Sequence, residues 1–83
     1  MTDPDFNLLI ALDILLSEAS VAGAARRLNL STSAMSRTLS RLRDVTGDPI
    51  LVRAGRNMVL TPWAEATRDR ARRAVHDLSL IHI

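Results

Sequence analysis

Two serine residues that precede helix-forming segments stand eleven positions apart in this chain of 83 residues, at Ser20 and Ser31. A serine hydroxyl in such a position accepts a hydrogen bond from a free N–H group of the first helical turn. We therefore predict a short helix over residues 21–28 and a longer one over residues 32–45. Asn29 lies between them and tolerates the left-handed backbone of a tight turn. Two helices joined by so short a turn form a helix-turn-helix.

The rest of the chain predicts two more helices and a small hairpin. Gly47, followed by Pro49, ends the third helix. Two short apolar runs then flank a turn that contains Gly55, which is typical of a hairpin. Thr61 before Pro62 is an N-cap followed by proline at the first helical position, where proline is favoured. The predicted elements are a helix over 6–17, the helix-turn-helix, strands at 50–52 and 58–60 around a turn at 54–57, and a long helix from residue 62.

The predicted fold is mainly α with a small β-hairpin: a winged helix-turn-helix followed by a long fourth helix. The small residues from Ala22 to Ala25 allow another helix to approach closely, as a compact core of three helices requires. The first helix is apolar on two faces, one formed by Leu9, Leu12 and Leu16 and the other by Leu8, Ala11 and Leu15. A helix that is apolar on two sides has to be covered on both, and a second subunit is one source of that cover.

Charge is distributed unevenly along the chain. Residues 1–19 carry four acidic side chains and no basic one, whereas residues 20–61 carry seven arginines and two aspartates. This asymmetry indicates a polyanionic partner for the middle segment, the alternative being that the arginines merely solvate exposed helix faces. The only aromatic residues are Phe6 and Trp63. The chain therefore lacks the rings on which binders of RNA and single-stranded DNA stack bases.

The third predicted helix has a polar front, offset from its apolar stripe. Short donors and acceptors on an exposed helix can reach base edges in the major groove of a DNA duplex. Arg37 is the candidate for a bidentate contact with guanine, while Ser31 and Thr32 lie where a helix N-terminus can meet a phosphate. Taken alone, the stretch fits a merely solvated helix face equally well. The front consists of Thr32, Ser33, Ser36, Arg37 and Ser40.

The hairpin turn places Arg53 and Arg56 beside Gly55. Arginines inserted into a narrow minor groove, or laid across its phosphates, are a recurrent use of such a wing. The alternative is an exposed hairpin whose charges serve solubility. Because this hairpin directly follows a helix-turn-helix, the two features together favour DNA binding more strongly than either does alone.

From about Asp5 to Ala74 the sequence resembles the N-terminal DNA-binding domain of LysR-type transcriptional regulators. Four stretches carry the resemblance: SVAGAARRL at 20–28, LSTSAMSR at 30–37, GDPILVR at 47–53 and NMVLTP at 57–62. Gly47-Asp48-Pro49 and Asn7-Leu8-Leu9 resemble the branch typified by nodulation and aromatic-catabolism regulators.

The resemblance implies double-stranded DNA as the partner and a homodimer joined through the fourth and first helices. Family members bind a small-molecule effector in a C-terminal domain, which we expect to be missing from a truncated chain. The predicted boundaries are a winged helix-turn-helix over 1–61, a linker and dimerisation helix over 62–77 and a non-native tail over 78–83, where the charge pattern of the helix is lost. The predicted DNA-binding residues are Arg26, Ser31, Thr32, Ser33, Ser36, Arg37, Arg41, Arg53, Arg56 and Thr61.

The sequence departs from the pattern of the family in three places. Thr32 and Ser33 stand where the family commonly has Gln-Pro, which weakens the case for an adenine contact there. Ala22 stands where threonine is common and Gly23 where a polar or basic residue is common, so one phosphate contact is expected to be missing. Trp63 replaces a smaller or basic residue, and we expect it to pack rather than to contact DNA.

Other functions have less support. His76 and His82 have no plausible catalytic partner and, without cysteines, make no metal site, so no enzyme activity, metal or cofactor is expected. The longest apolar run, Leu8 to Leu12, is too short to cross a bilayer, and we expect a cytoplasmic protein. A helical adaptor that binds other proteins would explain the two-faced first helix, but not the wing arginines or the polar front of the third helix.

Overall fold

The computed structural model describes the backbone of residues 4–81 and the side chains of residues 6–80. It contains four helices and one antiparallel hairpin, which confirms the predicted fold class. The elements in chain order are α1 (Pro4–Glu18), α2 (Val21–Leu28), α3 (Thr32–Thr46), β1 (Leu51–Ala54), β2 (Asn57–Leu60) and α4 (Pro62–Ile81).

Both predicted serine caps are present. The side-chain oxygen of Ser20 accepts the N–H of Gly23 at 3.0 Å, and that of Ser31 accepts the N–H of Ala34 at 3.1 Å. Asn29 ends α2 with a left-handed backbone, at φ 56°. The turn between α2 and α3 is therefore determined by local hydrogen bonds and by one residue that tolerates positive φ.

Two other helices also end in the left-handed region. Gly47 follows α3 at φ 70°, as predicted, and its N–H donates to the carbonyl of Arg43. Ala19 follows α1 at φ 51°, and its N–H donates to the carbonyl of Leu15 at 2.8 Å. For a residue with a Cβ atom this conformation costs about 1–2 kcal/mol. Packing of the flanking helices therefore has to hold Ala19 in place.

The helix α1 lies at the centre of the domain, where it packs against α2, α3 and α4. Leu15 and Leu16 are completely buried, and Ala11 and Leu12 are nearly so. The chain itself therefore supplies most of the cover that we expected in part from a second subunit. Four half-buried apolar side chains remain on α1, those of Leu8, Leu9, Ile10 and Ile14, of which Leu8 and Ile14 pack against the core.

The small residues of α2 allow the close approach that was predicted. Gly23, Ala24 and Ala25 are buried, whereas Ala22 is exposed. A Cβ atom at position 23 would lie 2.7 Å from a carboxylate oxygen of Glu18. Only glycine therefore fits beneath Glu18 without displacing its side chain.

The hairpin differs from the prediction at its two ends. The strands pair with Leu51 opposite Leu60, and the turn is only two residues long, Gly55 and Arg56. Ile50 was predicted to begin the first strand but lies outside it, completely buried and with a left-handed backbone at φ 69°. The N–H of Ile50 donates to the carboxylate of Asp48 and not to the opposite strand, while its carbonyl still accepts the N–H of Thr61 in register with the hairpin.

An ion pair between the exposed Arg72 and the nearly buried Asp13 ties the helix α4 to α1. Arg72 donates from Nε to a carboxylate oxygen of Asp13 at 3.0 Å and from Nη2 to the hydroxyl of Ser17 at 3.2 Å. Asp13 is 7 % exposed and is the only charged residue among the leucines of α1. The pair therefore gives the buried carboxylate the partner that burial requires.

The helix α4 continues through residues 78–81, so the change in composition at Leu78 is not a helix end. The non-native origin of residues 78–83 stays a prediction, and His82 and Ile83 lie outside the described residues. None of the helices within residues 4–81 is long and apolar enough to cross a membrane.

We predict that Arg72→Met lowers the free energy of unfolding by about 1–2 kcal/mol, because the carboxylate of Asp13 loses its charged donor at a site where the exposed Arg72 is screened by water. Arg73→Met is the matched control, since Arg73 is also exposed on α4 but forms no ion pair within residues 6–80. It should change the stability by less than about 0.5 kcal/mol. Urea unfolding followed by circular dichroism measures both, and equal losses would contradict a role for the ion pair.

Candidate nucleic-acid interface

One side of α3 is polar and fully exposed, while the other carries the core residues Met35, Leu39 and Leu42. The exposed side chains that carry hydroxyls are short, so they leave the backbone of the helix accessible to a binding partner. This arrangement matches the predicted polar front. Its exposed members are Thr32, Ser33, Ser36, Arg37 and Ser40.

Arg37 and Arg41 both project from α3 without an ion pair or hydrogen bond to any side chain of residues 6–80. Arg37 lies in the middle of the polar front. Arg41 lies at its edge, where it borders a cleft between α1 and α2 that is lined by Leu8 and Leu28. The two guanidinium groups are therefore free to meet an external anion, on neighbouring parts of one surface.

Of the two adjacent arginines of α2, one is bonded to α1 and the other is not. Arg27 donates to Glu18 at 3.2 Å and to Ser17 at 3.3 Å, so α1 holds it. Arg26 is exposed, and the described part of the chain offers it no acidic partner. Arg26, which was predicted to contact DNA, is thus the member of the pair that remains available.

The wing, which is the hairpin of β1 and β2, carries one arginine in its turn and another in its first strand. Arg56 lies in the turn beside Gly55, whose φ of 64° suits glycine. Arg53 is a residue of β1 and pairs across the hairpin with Met58, so it is not part of the turn as predicted. Both are exposed, and neither bonds to another side chain among residues 6–80.

Thr61 does not belong to this exposed surface, which corrects its prediction as a DNA contact. It is 6 % exposed, and its hydroxyl donates to Asp48 at 2.7 Å and accepts the N–H of Ala64 at 3.1 Å. Its own N–H donates to the carbonyl of Ile50. Thr61 therefore caps α4. It also joins that helix to the root of the wing, by which we mean residues 48–51.

Ser31 has a mixed role. Its oxygen is used in capping α3, but the side chain remains exposed at the start of the helix. A capping hydroxyl still has its own proton to donate, since it acts as an acceptor in the cap.

Two residues that hold the root of the wing were not predicted from the sequence to have a role. Arg43 of α3 donates to the carbonyl of Pro49 at 2.8 Å and to that of Leu51 at 3.1 Å. Asp48 accepts the N–H of Ile50 at 2.8 Å on the same oxygen that accepts the hydroxyl of Thr61. The signal for Asp48 was its place between Gly47 and Pro49, whereas nothing in the sequence separates Arg43 from the other arginines of α3.

The described residues contain no cluster of three or more histidine, cysteine, aspartate or glutamate side chains that could hold a metal ion. His76 lies on the exposed side of α4, and His82 is outside the described residues. Trp63 is half-buried against the core, as was expected of it.

Comparison with known families gives one match over most of the chain. Residues 6–65 match the family model described as "Bacterial regulatory helix-turn-helix protein, lysR family". Among curated relatives, Nodulation protein D 1 of Neorhizobium galegae is 48 % identical over 79 residues, which are 95 % of this chain and 24 % of that protein. The chain thus spans about a quarter of the length of the curated relatives it matches.

Solved structures share the fold. A probable transcriptional regulator from Pseudomonas aeruginosa matches with a TM-score of 0.81 and 36 % identity, over 90 % of this chain and 25 % of that one. A CbnR DBD–DNA complex matches with a TM-score of 0.78 and 26 % identity, over 93 % of this chain and 88 % of that one. The described fold is therefore that of a winged helix domain which has been solved in complex with DNA.

We predict that Thr61→Val lowers the free energy of unfolding by about 1–2 kcal/mol, because the α4 cap and the bond to Asp48 are both lost. Thr61→Ser keeps the hydroxyl and serves as the control, with a smaller loss. Urea unfolding measures the stabilities. For folded protein, the dependence of DNA binding on salt should be the same in both variants, and a shallower dependence for Thr61→Val alone would restore Thr61 as a phosphate contact.

Proposed function

Because the chain belongs to the lysR family of bacterial regulatory helix-turn-helix proteins, we propose that it is the part of a transcription regulator that reads double-stranded DNA. In this proposal α3 enters the major groove, and the wing lies over the minor groove or its phosphates. The observation that carries it is the division of the arginines. Those of the polar front and the wing have no protein partner among residues 6–80, whereas Arg27, Arg43 and Arg72 are bonded within the domain.

The chemistry of α3 suits reading of base edges. The major groove admits one α-helix, and short hydroxyls allow its backbone to come close to the bases. Arg37 is our candidate for the bidentate guanine contact, because its guanidinium has no internal partner and offers two parallel N–H donors. Thr32, Ser33 and Ser36 flank it as adaptable donors and acceptors, while Ser31 lies at the N-terminus of the helix beside the phosphates.

The wing and the outer arginines supply charge rather than sequence choice. We assign Arg56, Arg53, Arg26 and Arg41 to phosphates or to the minor groove, where arginine is favoured by the negative potential. Binding should then be steeply dependent on salt, because each neutralised phosphate releases counterions.

We further propose that two copies bind together, joined through α4 and α1. Such a pairing would cover those of the half-buried side chains of α1 that face the partner, among Leu8, Leu9, Ile10 and Ile14. The two recognition helices would then lie about one duplex turn, roughly 34 Å, apart. We assign residues 1–61 to DNA reading and residues 62–77 to the linker and dimerisation helix.

The remaining parts of the proposal concern the protein as a whole. A chromosome-binding regulator acts in the cytoplasm, and we propose that location. Sensing of a small-molecule effector is assigned to sequence outside this domain, because relatives of this family are about four times as long as this chain. The domain is that of a transcription regulator, and we propose no catalytic activity for it.

The decisive experiment is selection of binding sites from a randomised double-stranded DNA library with the 83-residue chain, at two salt concentrations. We expect enrichment of an interrupted palindrome, with affinity falling steeply at the higher salt because several phosphates are neutralised. Salt-sensitive binding without any motif would contradict the base-reading role of α3. Absence of binding at low salt would favour the protein adaptor instead.

A matched pair of variants separates base reading from phosphate binding. Arg37→Ala should relax the selected motif at one position, with about 1–3 kcal/mol of discrimination lost. Arg56→Ala should weaken binding to all sequences and reduce the slope of log K against log salt by about 1. Both follow from selection and titration on the same library, and identical motifs for Arg37→Ala and the unmodified chain would refute the assignment of Arg37.

A further inference from the structure

Arg43 lies on the recognition helix, but it turns its guanidinium towards the wing. Its Nε donates to the carbonyl of Pro49 at 2.8 Å, and its Nη2 donates to the carbonyl of Leu51 at 3.1 Å. These two carbonyls belong to the connection after α3 and to the first residue of β1. One side chain thus bonds to both the approach to the wing and its first strand.

The wing has few other connections to α3. The hairpin packs on itself and, through β2, on α4. Within the described residues, the other polar contact between α3 and the wing root is the hydroxyl of Thr46, which accepts the N–H of Asp48 at 3.2 Å. The segment between α3 and β1 has a left-handed backbone at Gly47 and at Ile50, so it continues neither the helix nor the strand.

We infer that Arg43 is a positioning residue that sets the orientation of the wing relative to the recognition helix. The inference rests on the proposed function, because its consequence is that Arg37 in the major groove and Arg56 in the wing reach one duplex together. Asp48 completes the arrangement on the other side, where its carboxylate joins Ile50 to Thr61 at the start of α4. The wing root is thus held between α3 and α4.

The chemistry of the contact requires arginine. A guanidinium has N–H donors in a rigid planar fork, so Nε and Nη2 can serve two carbonyls at fixed separation. A lysine in the same place has the same charge, but its single ammonium cannot reproduce that fork. Arg43→Lys and Arg43→Gln therefore distinguish a geometric role from a purely electrostatic one.

The first test is a double-mutant cycle on the selected DNA site. In the unmodified chain Arg56→Ala should weaken binding about tenfold, as expected for loss of a good groove or phosphate contact. In the Arg43→Gln and Arg43→Lys backgrounds the same change should weaken it by less than about threefold, because the wing is no longer aligned. Arg37→Ala, the matched control within α3, should keep its full effect in all backgrounds.

The second test uses no DNA. Amide hydrogen exchange of the hairpin, residues 51–60, should become about tenfold faster in both Arg43 variants, as expected from loss of bonds with a charged donor. Exchange in α1 and α2 should stay unchanged, which shows that the variants remain folded. Arg41→Gln, a change at an exposed arginine two residues away on α3, should leave the exchange of the hairpin as it is.

The outcomes separate this inference from the proposed function. The losses of binding free energy from Arg43→Gln and Arg56→Ala could prove fully additive, or Arg43→Lys could keep nearly all of the affinity. Either result would mean that Arg43 acts only through its charge. Unchanged exchange of the hairpin with DNA binding intact would overturn the positioning role alone. Absence of DNA binding by the unmodified chain would overturn the proposed function, and the role of the wing orientation with it.

Discussion

The burial of α1 by the three other helices is the constraint on which the remaining structure depends. A domain this small has room for only one core, and its largest buried side chains come from α1, α3 and the wing root. Leu15 and Leu16 of α1 are in contact with that core on both sides. The helix-turn-helix can therefore keep one side of α3 entirely polar, because α3 contributes only a narrow stripe to the interior. The helix α3 thus carries three core residues on one side and an exposed polar surface on the other.

Ion pairs and hydrogen bonds within the domain engage some of its arginines and leave others available. Asp13 and Glu18 of α1 bind Arg72 and Arg27, respectively, and backbone carbonyls bind Arg43. The bonded arginines join α1 to α2, α1 to α4 and α3 to the wing. Arginines that bond to no side chain of residues 6–80 lie on α2, α3 and the hairpin, and also on α4 at Arg70 and Arg73. A chain with eleven arginines and a net charge of only +2 can therefore still present a basic binding surface, since part of its positive charge is bonded internally.

Local signals predicted most of the fold, and tertiary contacts account for the errors. Ser20, Asn29, Ser31 and Gly47 act within one helical turn of their own positions, so their roles can be read from neighbouring residues. Ile50 reads as a strand residue because it is β-branched and apolar, yet its N–H donates to Asp48 and its φ is positive, so β1 begins only at Leu51. Thr61 is a correct N-cap prediction and a wrong surface prediction, because its burial depends on residue 48, thirteen positions earlier. The carbonyls of Pro49 and Leu51, which Arg43 binds, likewise cannot be identified as its partners without knowing how the wing lies against α3.

The left-handed backbone of Ile50 places two opposing demands on one position. The backbone favours glycine, and a β-branched side chain there costs about 1–2 kcal/mol. The interior favours a large apolar side chain, and removing one from a completely buried site costs about 2–5 kcal/mol. The second demand is the larger, so isoleucine is retained at the expense of an ideal backbone. Glycine meets only the preference of the backbone and isoleucine only that of the interior, so whichever of the two stands there, the junction between helix and wing carries either strain or a cavity.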